Sequence, residues 1–129
     1  MSTHGINHIN LYAQRALLDA LRDFYCDVVG LQPGPRPPFA FFGYWLYADG
    51  RAVVHLVEAA PGDPRPPHVT GTFDHVAFDC TGRAAVEALL HQRGVPFRTA
   101  VVPALSQVQL FVRDPAGNGV ELNFARADA

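Results

Sequence analysis

Four side chains able to hold a metal ion recur at matching places in this chain. His8 lies in GINHINLY and His75 in GTFDHVAFD, 67 residues apart, while His55 lies in RAVVHLVE and Glu121 in NGVELNF, 66 apart. Within the first set His8 precedes His55 by 47 residues, and within the second His75 precedes Glu121 by 46. Imidazole and carboxylate donors suit a borderline divalent ion such as Zn²⁺, Ni²⁺, Fe²⁺ or Mn²⁺. An octahedral ion held by all four residues keeps two positions open, and one held by His8, His75 and Glu121 alone keeps three. Either arrangement leaves room for a substrate, so the expected site is catalytic rather than structural. Such an ion can polarise a carbonyl and stabilise an enolate, activate water or bind oxygen. A lone histidine on a strand is more often a hydrogen-bonded surface or core residue than a ligand. What carries the argument is the recurrence, which suggests two duplicated modules facing each other across one shared site. His4, His68 and His91 have no counterpart in the repeat and read as surface residues, although His68 could fold over a pocket mouth.

The elements that must position these residues repeat as well. Ile6 to Tyr12 alternates, with Ile6, His8, Asn10 and Tyr12 on one face and Asn7, Ile9 and Leu11 on the other. A helix follows, with Leu17, Leu18, Leu21, Phe24, Tyr25, Val28 and Val29 at three- and four-residue steps and Gly30 at its end. The proline-bearing stretch from Leu31 to Pro38 predicts a loop, Phe39 to Ala48 a strand, Asp49-Gly50 a hairpin turn, and Ala52 to Glu58 the returning strand. The second copy predicts a strand over Thr72 to Asp79, a helix over Arg83 to Arg93 with Gly94 after it, a strand over Val108 to Val112, a turn over Asp114 to Gly119, and a last strand over Val120 to Phe124. The fold class is therefore α+β: two βαβββ modules pairing their curved sheets around a shared metal-binding cleft, helices outside. The chain reads as one domain spanning 1–129, with module 1 over about 4–59, a linker over about 60–70 and module 2 over about 71–126. The linker is half proline from Ala60 to Pro67, which suits neither a helix nor a central strand.

Composition narrows the function. With 129 residues, 49% of them apolar, the chain can bury a core. A formal charge of −2 and ten scattered Lys and Arg argue against nucleic acid as a partner. No apolar run approaches membrane-spanning length, and MSTHGINH is no signal peptide. Cys26 and Cys80 match no redox or zinc spacing and read as small buried residues. The expected setting is cytoplasmic.

The segments NHINLY, DFYCDVVGL, FGYWLYADGRAVVHLVE, FDHVAFD and FVRDPAGNGVELNF together resemble the vicinal oxygen chelate superfamily, also called the glyoxalase/bleomycin-resistance/dioxygenase family, over nearly the whole chain. The resemblance implies paired βαβββ modules, a homodimer, and one divalent ion that chelates vicinal oxygens of a small-molecule substrate. It places the metal positions at His8, His55, His75 and Glu121. Glyoxalase I and methylmalonyl-CoA epimerase typically carry Glu or Gln where this chain has His55, and glyoxalase I uses a carboxylate there to move a proton. His55 then reads either as a ligand or as a base, and Glu121 and His55 are the candidate catalytic residues. Extradiol dioxygenases and fosfomycin-resistance transferases use two His and one Glu, whereas bleomycin-binding members lack metal ligands.

Asn10, Tyr12 and Asn123 fall on the ligand-bearing faces and are expected to touch substrate. Arg113, on the polar side of its strand, either anchors a carboxylate or phosphonate or merely flanks a turn. The aromatic run Phe39 to Tyr47, with the only tryptophan, Trp45, is expected mainly in the core. The leading expectation is a metal-dependent glyoxalase-like lyase or isomerase. The alternatives are a metal-dependent dioxygenase and a protein that sequesters a drug or metabolite without turnover.

Overall fold

The computed structural model describes residues 1–128. Backbone contacts divide the chain into two compact units that meet in sequence at Arg65 and Pro66, inside the proline-rich linker. The first unit runs β1 (Ile9–Ala13), α1 (Arg15–Asp27), β2 (Gln32–Gly34), β3 (Gly43–Ala48) and β4 (Arg51–Glu58). The second runs β5 (His75–Cys80), α2 (Arg83–Gln92), β6 (Arg98–Val102), β7 (Gln107–Arg113) and β8 (Gly119–Ala125). Each unit is thus a βαβββ module, and the fold is α+β.

The two sheets have the same strand order, β1-β4-β3-β2 and β5-β8-β7-β6. In each, the first strand runs parallel to the last, and the remaining pairs are antiparallel. A parallel pair needs a long crossover. Here the helix and the following strands supply it. Both helices end alike. Gly30 and Gly94 take positive φ, 89° and 64°. The next amides, of Leu31 and Val95, then reach back to the carbonyls of Tyr25 and Leu90. This left-handed reversal is one that glycine makes at little cost.

Alternation along the strands puts apolar residues toward the helix side. Leu46, Val54 and Leu56 are fully buried in the first unit, together with Leu18, Leu21 and Tyr25 of α1. Leu110, Val120, Leu122 and Phe124 are their counterparts in the second, together with Leu90 of α2. Burying one such side chain contributes about 1.5–3 kcal/mol. The opposite face is left to Asn10 and Tyr12 on β1 and to His75, Ala77 and Asp79 on β5, all exposed. Among the described residues no helix is long and apolar enough to cross a membrane.

Several expected boundaries move. β1 begins at Ile9, where its ladder with Val54 begins, so His8 precedes the strand instead of lying within it. Likewise β5 begins at His75, not at Thr72. β3 begins at Gly43, because residues Phe39 to Phe41 gather around Arg36, whose guanidinium lies over both phenyl rings and donates to the Phe41 carbonyl. Two strands lie where the sequence predicts none, β2 and β6. Both are the outermost strands of their sheets. Pro33 is tolerated in β2 because an edge strand leaves one side of its backbone unpaired.

The two cysteines are free and half-buried. Burial, with Asp79 nearby, pushes the Cys80 thiol up to about 11. Its S–H points to the Phe78 carbonyl. Cys80 should therefore resist iodoacetamide near pH 8.5, where an unfolded cysteine is about half thiolate, and gain reactivity only as the pH approaches its raised value. Rapid labelling of Cys80 at the lower pH, read by peptide mass mapping, would contradict this packing.

Gly119 is a point of close approach. It sits opposite His75 in the β5–β8 ladder. A Cβ at this position would overlap the Asp74 carbonyl oxygen and come within 3.0 Å of His75 Cβ. Gly119→Ala should cost roughly 1–3 kcal/mol, as overpacking does. Gly71→Ala, whose Cβ would meet nothing within 4 Å, should stay within about 0.5 kcal/mol of the parent. Chemical denaturation of both variants checks the contrast, and equal stabilities would refute the Gly119 contact.

Candidate functional site

In each unit the parallel pairing of first and last strands brings two of the four expected residues together. The pairs differ in kind. In the first unit, the imidazoles of His8 and His55 stack with centroids 3.7 Å apart and planes 14° from parallel. Trp45, paired with His55 across the β3–β4 ladder, covers the other face of that ring at 4.1 Å and 11°. His55 is thus held between two flat rings. Burial pushes its pKa below the ordinary histidine value, with the neighbouring His8 and Arg36 adding to the effect and a hydrogen bond to the Ala52 backbone opposing it. His8 donates from Nδ1 to Asn7 Oδ1 at 2.8 Å, which leaves Nε2 available.

In the second unit, His75 Nε2 lies 3.5 Å from Glu121 Oε1. His75 Nδ1 donates to Asp74 Oδ2 at 2.8 Å, and this bond holds the Asp74 carboxyl below the usual carboxylate range. Glu121 is almost wholly buried. Its other oxygen, Oε2, accepts from Asn123 Nδ2 at 2.8 Å. Phe111, opposite Glu121 in the β7–β8 ladder, meets the His75 ring edge-on at 6.0 Å. With Nδ1 acting as donor, neutral Nε2 carries a lone pair, so two acceptors face a gap of 3.5 Å. A proton or a metal cation between them relieves that opposition.

The turn before β8 sets where Glu121 begins. Asp114 is buried, and its Oδ1 accepts from the amides of Ala116 and Asn118, both at 2.9 Å, while Oδ2 accepts from Asn118 Nδ2 at 3.0 Å. The DPAGN run thus folds its own turn around one carboxylate. Arg113 Nη1 closes the outside by donating to the Gly117 carbonyl at 2.9 Å. His68, at the end of the linker, lies against Gly117, and its amide donates to the Ala116 carbonyl at 2.7 Å.

Among the described residues no group of three or more His, Cys, Asp or Glu side chains stands close enough to hold an ion; each unit supplies a pair. The donor chemistry of the second pair fits a divalent ion. Bonds of about 2.0–2.2 Å place neighbouring tetrahedral donors about 3.4 Å apart, close to the observed His75–Glu121 separation. The bond from His75 Nδ1 to a carboxylate is the kind of contact that orients a metal-binding imidazole. The first pair fits less simply. An imidazole nitrogen bonds in the plane of its ring, and the two planes lie a stacking distance apart. An ion shared by both would sit about 1.8 Å out of each plane at a bond length of about 2.1 Å. As stacked, His8 and His55 do not converge on one ion.

The remaining expected residues separate. Asn10 lies beside His55 in the β1–β4 ladder and is exposed. Tyr12 is exposed under the Arg65 guanidinium, 4.6 Å from its ring. Asn123 orients Glu121. Arg113 donates to the turn at Gly117 and also lines a cavity beside His75 and Phe111. Four residues in contact with the pairs were not singled out as site residues from the sequence: Asn7, Asp74, Trp45 and Phe111. A signal for them exists. Each histidine that opens a module follows an Asn or Asp, and an aromatic precedes His55 and Glu121 by ten residues in each copy.

Comparison with known proteins agrees with this architecture. A family model for the Glyoxalase/Bleomycin resistance protein/Dioxygenase superfamily matches residues 5–122. The Arabidopsis thaliana protein Glyoxylase I 4 is 28% identical over 122 residues, which make up 92% of this chain and 69% of that protein. The crystal structure of lactoylglutathione lyase from Agrobacterium tumefaciens is 25% identical with a TM-score of 0.64, and the match covers 98% of each chain. A glyoxylase/bleomycin resistance protein/dioxygenase domain from Frankia sp. EAN1pec shares the fold with a TM-score of 0.74 at 20% identity, over 97% of this chain and 100% of that one. The family match takes in both pairs, from His8 to Glu121, and the chain belongs to the glyoxalase/bleomycin resistance protein/dioxygenase superfamily.

Proposed function

We propose that this chain is a glyoxalase-like lyase or isomerase. It would act on a small substrate that presents two adjacent oxygens to a divalent metal ion. The observation that carries the reading is the pair of acceptors, His75 Nε2 and Glu121 Oε1, held 3.5 Å apart with their other polar atoms already engaged by Asp74 and Asn123. The family resemblance adds His8, whose Nε2 is left available by Asn7, to the ligand set. The family resemblance also supports a homodimer. A bound divalent ion would act as a Lewis acid toward the substrate oxygens.

The chain's own residues divide the remaining work. Glu121, buried and oriented by Asn123, holds its carboxylate in one direction. The desolvated position of His55 between His8 and Trp45 favours its neutral form. A neutral imidazole accepts a proton, and the stack holds its plane. His55 therefore moves the substrate proton, in the place where glyoxalase I carries a carboxylate. Asn10, next to His55 on the exposed face, contacts the substrate.

Calorimetric titration of metal-free protein with Zn²⁺ should give about one ion per chain. His8→Ala, His75→Ala and Glu121→Ala should each weaken binding by about a hundredfold, toward the larger end of what loss of a metal-site contact costs. Unchanged affinity in any two of the three would end the metal assignment.

His55→Gln separates a ligand from a base. Base loss predicts nearly normal metal affinity with the chemical step slowed by roughly 10²- to 10⁴-fold. Ligand loss predicts that affinity falls first. The assay is the formation of lactoylglutathione, the thioester in the name of the Agrobacterium relative. No turnover by the metal-loaded parent would rule out this reaction, and normal affinity with normal turnover in His55→Gln would remove both roles for His55.

A further inference from the structure

The second unit carries a cavity of about 600 Å³ whose wall includes His75, Phe111, Arg98 and Arg113. Strand register explains why these side chains meet. Ala77, Glu121, Phe111 and Arg98 are successive partners across β5, β8, β7 and β6. Cross-strand partners share a face of the sheet. At about 4.8 Å per strand, the Arg98 backbone lies roughly 10 Å from that of Glu121. The side chain spans part of this distance, since its guanidinium carbon lies 4.2 Å from the centre of the Phe111 ring. Phe111 in turn meets His75 edge-on. A continuous surface therefore runs from imidazole to phenyl to guanidinium.

The charges on this wall are unequal. Arg98 is exposed, and among the described residues it pairs with no carboxylate. A guanidinium lying on an aromatic face keeps its N–H edge free for a planar anion. Arg113 adds a second positive charge, with one nitrogen engaged by the Gly117 carbonyl. The acid on the wall is Asp74, whose carboxylate is already held by His75. Phe97 and Val112 contribute apolar lining, so an anion there would be partly shielded from water.

We propose that this cavity is a carboxylate subsite with Arg98 as its anchor, and that the substrate is a small organic acid. Its carboxylate would lie a few carbons from the two adjacent oxygens that react. The assignment deepens the proposed function and rests on His75 and Glu121 marking the reacting end. Carboxylate binding itself does not require the metal.

The test uses metal-free protein and succinate, with succinamide as the uncharged analogue, in a calorimetric titration at low salt. Succinate should bind and succinamide should not. Arg98→Gln should weaken succinate binding by about tenfold or more, the loss of one charge-assisted contact, with an unchanged thermal melt. Equal affinity of parent and Arg98→Gln for succinate, equal binding of succinamide, or no binding of succinate by the parent would each overturn the subsite. Zn²⁺ binding by Glu121→Ala, measured separately, reports on the metal site. Affinity equal to the parent's would remove the metal assignment while leaving the carboxylate result intact.

Discussion

The parallel pairing of the first strand of each module with its last is the constraint on which everything else depends. A parallel pair brings together residues far apart in the chain, and it does so at a fixed register. Asn10 meets His55, and Ala77 meets Glu121. Two residues earlier on each first strand side stands the histidine that opens the module, His8 or His75. The crossover helix is what makes that pairing possible, and its glycine-terminated end is repeated in both modules. The buried leucines and valines between sheet and helix hold the ladder in one register. A slip by one residue would send His55 and Glu121 into the apolar layer, where their desolvation would be heavily penalised.

Much of this was legible in the sequence. The duplication, the alternation and the hairpin at Asp49-Gly50 gave the modules, because a pleat forces side chains two apart onto one face. The return of a ligand-capable residue at equal spacing gave the four candidates, and the pairs they form follow from the strand order. The edge strands were less readable. Gln32–Gly34 is three residues long and contains a proline, and its pairing with β3 is decided by tertiary contact, not by propensity. Side-chain environment was harder still. Trp45 read as a core aromatic, yet its half-buried ring lies on His55. Arg113 alternates with apolar residues as a pocket residue would, and it lines the cavity beside His75 while one of its nitrogens is tied to the turn that follows.

The turn around Asp114 shows how a short motif acts through geometry. The carboxylate caps two amides and one side-chain amide within five residues. Gly119 then lets β8 run against His75 without a Cβ in the way. Both features serve the placement of one buried carboxylate two residues further on. The motif therefore marks the site although none of its first residues touches the histidine.

The two modules repeat a backbone but not a chemistry, and the difference is informative. In the second, a histidine faces a carboxylate, each held by one neighbour, and the gap between them suits a cation. In the first, two imidazoles face each other flat, and an indole completes the stack. Stacking orients His55 at the expense of convergence with His8, because lone pairs in parallel planes cannot meet on one ion. With a carboxylate in one copy and an imidazole at the matching position of the other, the same backbone presents two different pairs of donors.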